Sequence, residues 1–268
     1  MTSDLHTGDT MDKPQRLLAD EIGFSFTPGA PVLSKVSAEI HAGSFLAVLG
    51  VNGSGKSTLL NCLAAILKAK HGKVLLYGQD IATIKRTHRA QQLAYVAQKN
   101  FTNRSSVYDS LLIGRKPFIT GVPTEDDYAI VDAVISAIGL ESHALTYIDE
   151  LSGGEYQKVV LGRALVQCTG VLLLDEPTNN LDIAAEHSIL SLVRKLVDTQ
   201  NVAAAAVMHD INLALDYCDR FLVLSDGRVC AHGGPEIITD ALVSEVYGIS
   251  ATVHTVADRK IVLVDKPI

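Results

Sequence analysis

Nine consecutive residues, GVNGSGKST from Gly50 to Thr58, combine three glycines, a lysine and hydroxyl side chains directly after the apolar run SFLAVL. Gly50, Gly53 and Gly55 let a backbone curl until its N–H groups converge, and converging amides make a seat for an anion. Asn52 and Ser54 complete the curl. Lys56 adds a point charge, while Ser57, next to Thr58, offers the hard oxygen that Mg2+ takes. Between a strand and a helix, the pattern G-x-x-x-x-G-K-[ST] wraps the phosphates of a nucleoside triphosphate, with Lys56 at the β and γ positions.

Four further positions carry chemistry that such a loop could use. Asp175 ends the apolar run VLLLD, where a central strand would emerge beside the phosphates, and a carboxylate there suits Mg2+, held through water. Glu176 is adjacent. Strand alternation would turn it the other way, free to polarise an attacking water as general base. His209 follows the run VAAAAVM, so a parallel strand would deliver its imidazole to the same edge, within reach of a γ-phosphate. Gln98 closes LAYVAQ and is placed to sense metal or water. The stretch LSGGEYQ poses a separate question, because Ser152 is a natural helix cap whereas Gly153 and Gly154 each cost a helix ~1 kcal/mol relative to alanine. Glycines there suit the close approach of a ligand, and bare N–H groups at a helix start favour phosphate.

The surrounding patterns supply elements to hold these groups. VSAEIH and SFLAVLG read as strands, a helix runs from about Lys56 to Leu67, and KVLLYG returns to strand. From Ser105 to Glu150 apolar residues recur at three and four spacing, the second run opening on a Thr124/Asp127 capping pair. VLLLDE then reads as a buried strand, 182–199 as a helix, VAAAAVM as a strand, and RFLVLSDGRVCAHG as a hairpin turned at Asp226-Gly227. Alternating helix and strand indicates a parallel sheet.

Composition narrows the class. With 268 residues and 47% hydrophobic content the chain can bury a substantial core. Its formal net charge of −7 argues against a nucleic-acid binder. No apolar run reaches the roughly 18 residues of a membrane span and the polar N-terminus lacks a signal-peptide core, so the chain is expected in the cytosol. Cys62, Cys168, Cys218 and Cys230 have no C-x-x-C spacing and are expected as buried, reduced thiols. Residues 1–15 read as a disordered leader, with Met11 an alternative start, and 16–268 as the folded unit.

Taken in order, GVNGSGKST, VAQ, LSGGEYQ, VLLLDE and MHD resemble the Walker A, Q-loop, signature, Walker B and histidine-switch motifs of the ATP-binding subunits of ATP-binding cassette (ABC) transporters. The resemblance spans about Leu17 to His232. It implies an α/β fold: a P-loop NTPase core with an antiparallel β subdomain and an α-helical subdomain inserted at about 100–165. It implies ATP and Mg2+, with Ser57, Gln98 and Asp175 at the metal and Lys56, Gln98, Glu176 and His209 in catalysis. Two copies would pair head to tail, so that Ser152, Gly153 and Gly154 of one close over the γ-phosphate held by the other. Phe26 takes the place of the aromatic that stacks on adenine, and Asp182 lies in the loop between the two sites. Partners would be two membrane permeases, reached from the cytoplasmic face, and indirectly an extracytoplasmic substrate-binding protein. The surface from Lys99 to Phe118, with Tyr108, Leu112 and Phe118, is the expected docking region.

SSVYDSLLIGRKPFI and the tail with its L-x-x-V-Y-G element resemble the importer branch for iron-siderophore, haem or cobalamin. Two alternatives stand beside it: a zinc or manganese importer subunit, and a soluble cassette ATPase of repair or cluster assembly. The latter usually carries coiled-coil arms or a second cassette, neither of which this sequence suggests. A nucleotide sensor that does not hydrolyse ATP fits poorly with Glu176 and His209.

Overall fold

The computed structural model describes residues 14–98, 104–257 and 259–265. The chain starts with β1 (Gln15–Ser25), β2 (Pro31–His41), β3 (Ser44–Leu49), α1 (Lys56–Leu63), β4 (His71–Leu76), β5 (Gln79–Asp80), α2 (Arg86–Ala90) and β6 (Leu93–Val96). Three helices follow, α3 (Val107–Gly114), α4 (Glu125–Ile138) and α5 (Gly153–Leu165). The rest runs β7 (Val171–Asp175), α6 (Ile183–Gln200), β8 (Ala203–Val207), α7 (Ile211–Tyr217), β9 (Arg220–Ser225), β10 (Arg228–Gly233), α8 (Asp240–Tyr247), β11 (Ala251–Val256) and β12 (Arg259–Val264).

The central sheet has the order β10-β9-β3-β8-β7-β6, parallel except where β10 folds back on β9. Its inner strands are apolar on both faces because both are covered. Ala47, Leu49, Leu172, Leu174, Ala204 and Ala206 pack with α6 residues such as Leu190 and Val193. Leu46, Val48, Leu173, Ala205 and Val207 face α1 and the antiparallel sheet β2-β1-β4-β5. Four consecutive alanines in β8 keep both layers close to the sheet. Helices α3, α4 and α5 gather round a third cluster that includes Val107, Leu111, Val131 and Ile135. Buried Arg115 braces that unit, donating to Asp127 at 2.9 Å and to the Val166 carbonyl at 2.8 Å.

The Thr124/Asp127 capping box forms at the start of α4, and Asp226 and Gly227 turn the β9–β10 hairpin with φ of 47° and 71°, as a two-residue hairpin of this twist requires. Helix α1 ends at Leu63 rather than Leu67, because Ala65 takes φ 52° and the Ile66 and Leu67 amides both turn back to the Asn61 carbonyl. Gln15, placed in the expected leader, is already paired in β1, opposite His41. The remainder of that leader, Met1 to Lys13, lies outside the described residues, as do residues 99–103 of the expected docking region. All four cysteines are free; Cys62 and Cys218 are buried as expected, but Cys168 and Cys230 are exposed.

Candidate nucleotide-binding site

Strand ends gather the site. Val48 of β3 and Asp175 of β7 both sit opposite Val207 of β8, so the segments leaving these strands emerge side by side. Gly50 follows β3 in a left-handed conformation, φ 139°, and a Cβ there would run into the Leu224 carbonyl. Gly55, at φ 101°, would place a Cβ 2.8 Å from the Leu33 side chain. The loop therefore has room for its curl only with glycine at both positions. Lys56 is buried under it and donates to the carbonyls of Gly50 at 2.7 Å and Val51 at 2.9 Å. Burial pulls the ammonium pKa down, opposed by the carboxylates of Glu176 and Asp175. Ser54 lies in the same curl with a buried hydroxyl that has no partner among the described residues.

Ser57 donates its hydroxyl proton to Asp175 Oδ1 at 2.8 Å. Tyr95 reaches Asp175 Oδ2 at 3.4 Å, and Asn61 anchors the Ser57 carbonyl at 2.7 Å. Burial pushes the Asp175 carboxyl up, partly offset by the Ser57 bond and raised further by Glu176. A buried acid short of positive charge, beside a hydroxyl oxygen, fits a small divalent cation by the chemistry of its donors.

Glu176 leaves Asp175 for a different reason from the one expected. The strand stops at Asp175, and Glu176 takes φ 52°, so a left-handed turn rather than strand alternation swings its side chain away. There it is held on both oxygens. Gln98 donates to Oε2 at 2.6 Å and Asn179 at 3.0 Å, while His209 Nε2 stands 2.7 Å from Oε1. Gln98, expected at the metal, thus has its amide nitrogen on Glu176. His209 likewise faces the glutamate. Asn179 and Tyr95 belong to the cluster although the sequence reading assigned them no role.

The second set of expected residues remains apart. Ser152 caps α5, its hydroxyl and amide bonding Glu155 Oε2 at 2.7 and 2.9 Å in a capping box. Beyond its own helix, a Cβ on Gly153 would touch no atom of the described residues within 4 Å, and one on Gly154 would meet only the Ala185 methyl among them, 3.3 Å away. That methyl belongs to α6, whose cap is Asp182, accepting the Ala185 amide at 2.8 Å. Asn52 and Gly53 are exposed at the crest of the loop, and Thr58 lies half-buried in the first turn of α1. Phe26 is exposed and rests edge-on against Phe24, with centroids 4.9 Å apart. Tyr108 and Leu112, expected at a docking surface, pack against the helical unit's own cluster, and Phe118 covers the Arg115 guanidinium at 4.2 Å. Among the described residues of that stretch, Ile113 is the large apolar side chain left exposed.

The family model for ABC transporters matches residues 33–179, which include the glycine loop, the start of α5 and the Asp175-Glu176 pair. An uncharacterized ABC transporter ATP-binding protein of Methanocaldococcus jannaschii is 40% identical over 92% of this chain and 97% of its own length. The hemin import ATP-binding protein HmuV of Deinococcus radiodurans is 40% identical over 82% of this chain and 85% of its own. Proteins named for petrobactin and cobalamin import also match. Among solved structures, an inward-facing metal-chelate type ABC transporter superposes with a TM-score of 0.79 at 25% identity, covering 95% of this chain and 98% of the matched one. The chain belongs to the ABC transporter family and is an ABC-type ATPase with the P-loop cassette fold.

Proposed function

We propose that this protein is the ATP-binding subunit of an importer for metal chelates of the iron-siderophore, haem or cobalamin type, working as a head-to-tail dimer of identical copies. The observation that carries the reading is the convergence of Lys56, Ser57, Asp175, Glu176 and His209 at one sheet edge, while the glycine start of α5 lies open. Lys56 would exchange its two loop carbonyls for phosphate oxygens. Ser57 and Asp175 would hold Mg2+, which supplies charge neutralisation at the β and γ phosphates. Glu176, already fixed on both oxygens, would take the proton of the attacking water, with His209 and Gln98 holding its orientation. Asn52, Gly53, Ser54 and Thr58 line the phosphate loop, and Phe26 offers its ring to adenine. Ser152, Gly153 and Gly154 would close on a partner copy's γ-phosphate, with Asp182 beside them.

Substrate class rests on relatives named for hemin, petrobactin and cobalamin import. Among the described residues no helix is long and apolar enough to cross a membrane; as in an importer ATP-binding subunit, the chain would work with permease subunits, approached from the cytoplasmic face. A groove of about 570 Å³ between the core and the helical unit, lined by Arg86, Tyr95, Ile113, Lys116 and Arg163, is the candidate seat for a permease segment. The test is purification from membranes with natural partners, reconstitution into vesicles, and identification of the bound solute. Uptake of a chelate driven by ATP is the expected result. A bare zinc or manganese ion as cargo, or an active ATPase found free of membrane partners, would replace this reading with one of its alternatives.

A further inference from the structure

The last turn of α8 reaches back across 197 residues to the phosphate loop. The buried amide of Gly50 donates to the hydroxyl oxygen of Tyr247 at 3.2 Å. The carbonyl of the same glycine accepts from Lys56, so the peptide groups at the root of the loop are gripped from both sides. Tyr247 is itself well fixed. It ends a helix capped by Thr239 and closed by Gly248 at φ 66°, with Val243 and Val246 buried in the core beneath it. Asp240, in the first turn of that helix, accepts the Val253 amide of β11 at 2.7 Å. Strand β12 is tied in turn to α7, where Asn212 bonds both the amide and the carbonyl of Val262, at 2.7 and 3.0 Å. Helix α7 begins immediately after His209 and Asp210. One C-terminal unit therefore touches both the loop that binds phosphate and the helix behind the histidine. This unit lies outside the segment matched by the family model.

We propose that Tyr247 is a positioning residue for the phosphate loop, its hydroxyl holding the Gly50 amide so that the loop is set for ATP before ATP arrives. The proposal rests on the ATP-binding reading of that loop. Without the hydroxyl, a buried N–H has no partner and the loop samples other conformations, so ATP binds to a smaller competent fraction. The cost falls on ground state and transition state alike, which raises KM and leaves kcat in place.

Tyr247→Phe removes the hydroxyl oxygen and keeps the ring. The expected result is a rise in KM and in the Kd for ATP of roughly three- to tenfold, the scale of one hydrogen bond, with kcat within twofold. Hydrogen exchange at the Gly50 amide should accelerate by a similar factor in the nucleotide-free variant. Val246→Ala, which thins the core under the same turn, should lower Tm and leave KM unchanged, separating a set loop from a merely stable helix. An unchanged KM in Tyr247→Phe, or a rise matched by Val246→Ala, overturns the proposal. Wild-type protein run in the same assay keeps the two levels distinct: if it neither binds nor hydrolyses ATP, the reading of the loop fails first.

Discussion

Two helices of this protein begin with glycine and serine, and they do so for opposite reasons. At α1 the glycines answer to their own chain: Gly50 and Gly55 have positive φ and would collide with Leu224 and Leu33 if they carried a Cβ. The side chains that follow are also spoken for, Lys56 by two carbonyls and Ser57 by Asp175. At α5 the described residues ask nothing of Gly153, whose missing Cβ meets none of them beyond its own helix, and little of Gly154. A helix carries glycine at a cost of ~1 kcal/mol, and under the proposed function this open first turn is the half-site offered to a partner copy. One site is built by folding. The other, under the proposed function, is completed when a partner copy closes on it.

Four substitutions would break or sharpen that contrast, beginning with the largest effect. Glu176→Gln keeps the shape of the built site and removes its base, so turnover should fall by at least ~100-fold while ATP still binds. Gel filtration with ATP and Mg2+ should then show a stable dimer; monomers together with unimpaired hydrolysis would remove Glu176 from its role. Gly153→Asp belongs to the open site. It should reduce hydrolysis at least ~10-fold by opposing a partner's γ-phosphate, with the ATP affinity of one subunit held within about twofold. In Lys56→Ala the pattern reverses, ATP affinity itself weakening by roughly tenfold or more as a buried point charge is lost. Isothermal titration separates the two, and equal affinity losses in both variants would erase the distinction drawn between the helices.

The smallest effect is expected at the cap of the open helix. Ser152 holds the Glu155 carboxyl below the usual range through its hydroxyl and its amide, assisted by His143 and Lys158. A carboxyl depressed on folding stabilises above its unfolded pKa of about 4.3, and that contribution disappears as pH falls through the lower folded value. Glu155→Gln keeps an acceptor for the cap and discards the titration. Its Tm at neutral pH should lie within about 2 °C of wild type, and the gap between them should narrow as pH drops below about 4. A gap that widens on acidification would mean that the charge does not support the cap.

The parts of the site that sit within one short stretch were legible without a structure. Gly50 to Ser57 are close in sequence, and the demands of a phosphate loop fall on their types and spacing. Asp175 and His209 could be read because apolar runs mark the parallel strands that end just before them. Glu176 was found for a reason that did not hold, since only the folded chain reveals that the strand stops at Asp175 and that φ of 52° turns the next residue away. Asn179 had no signal of its own, standing three residues beyond in a turn whose path decides that it meets Glu176. The apolar spacing of Tyr108 and Leu112 suited an outer surface and an inner one equally, and packing against the cluster of α3, α4 and α5 left both half-buried.

By itself, the sequence singled out a glycine loop whose residue types suit phosphate, strands that would be buried on both faces, and where helices α4, α5 and α6 begin. All of these are governed by side chains within a few positions of one another. Tertiary structure alone decided that Tyr95 would stand at Asp175, 80 residues away, and that Tyr247 would grip Gly50 across 197. Such contacts follow from the order of strands in the central sheet and from the path of the chain back over it. Local periodicity carries no record of either, because strand order is chosen by how whole layers pack.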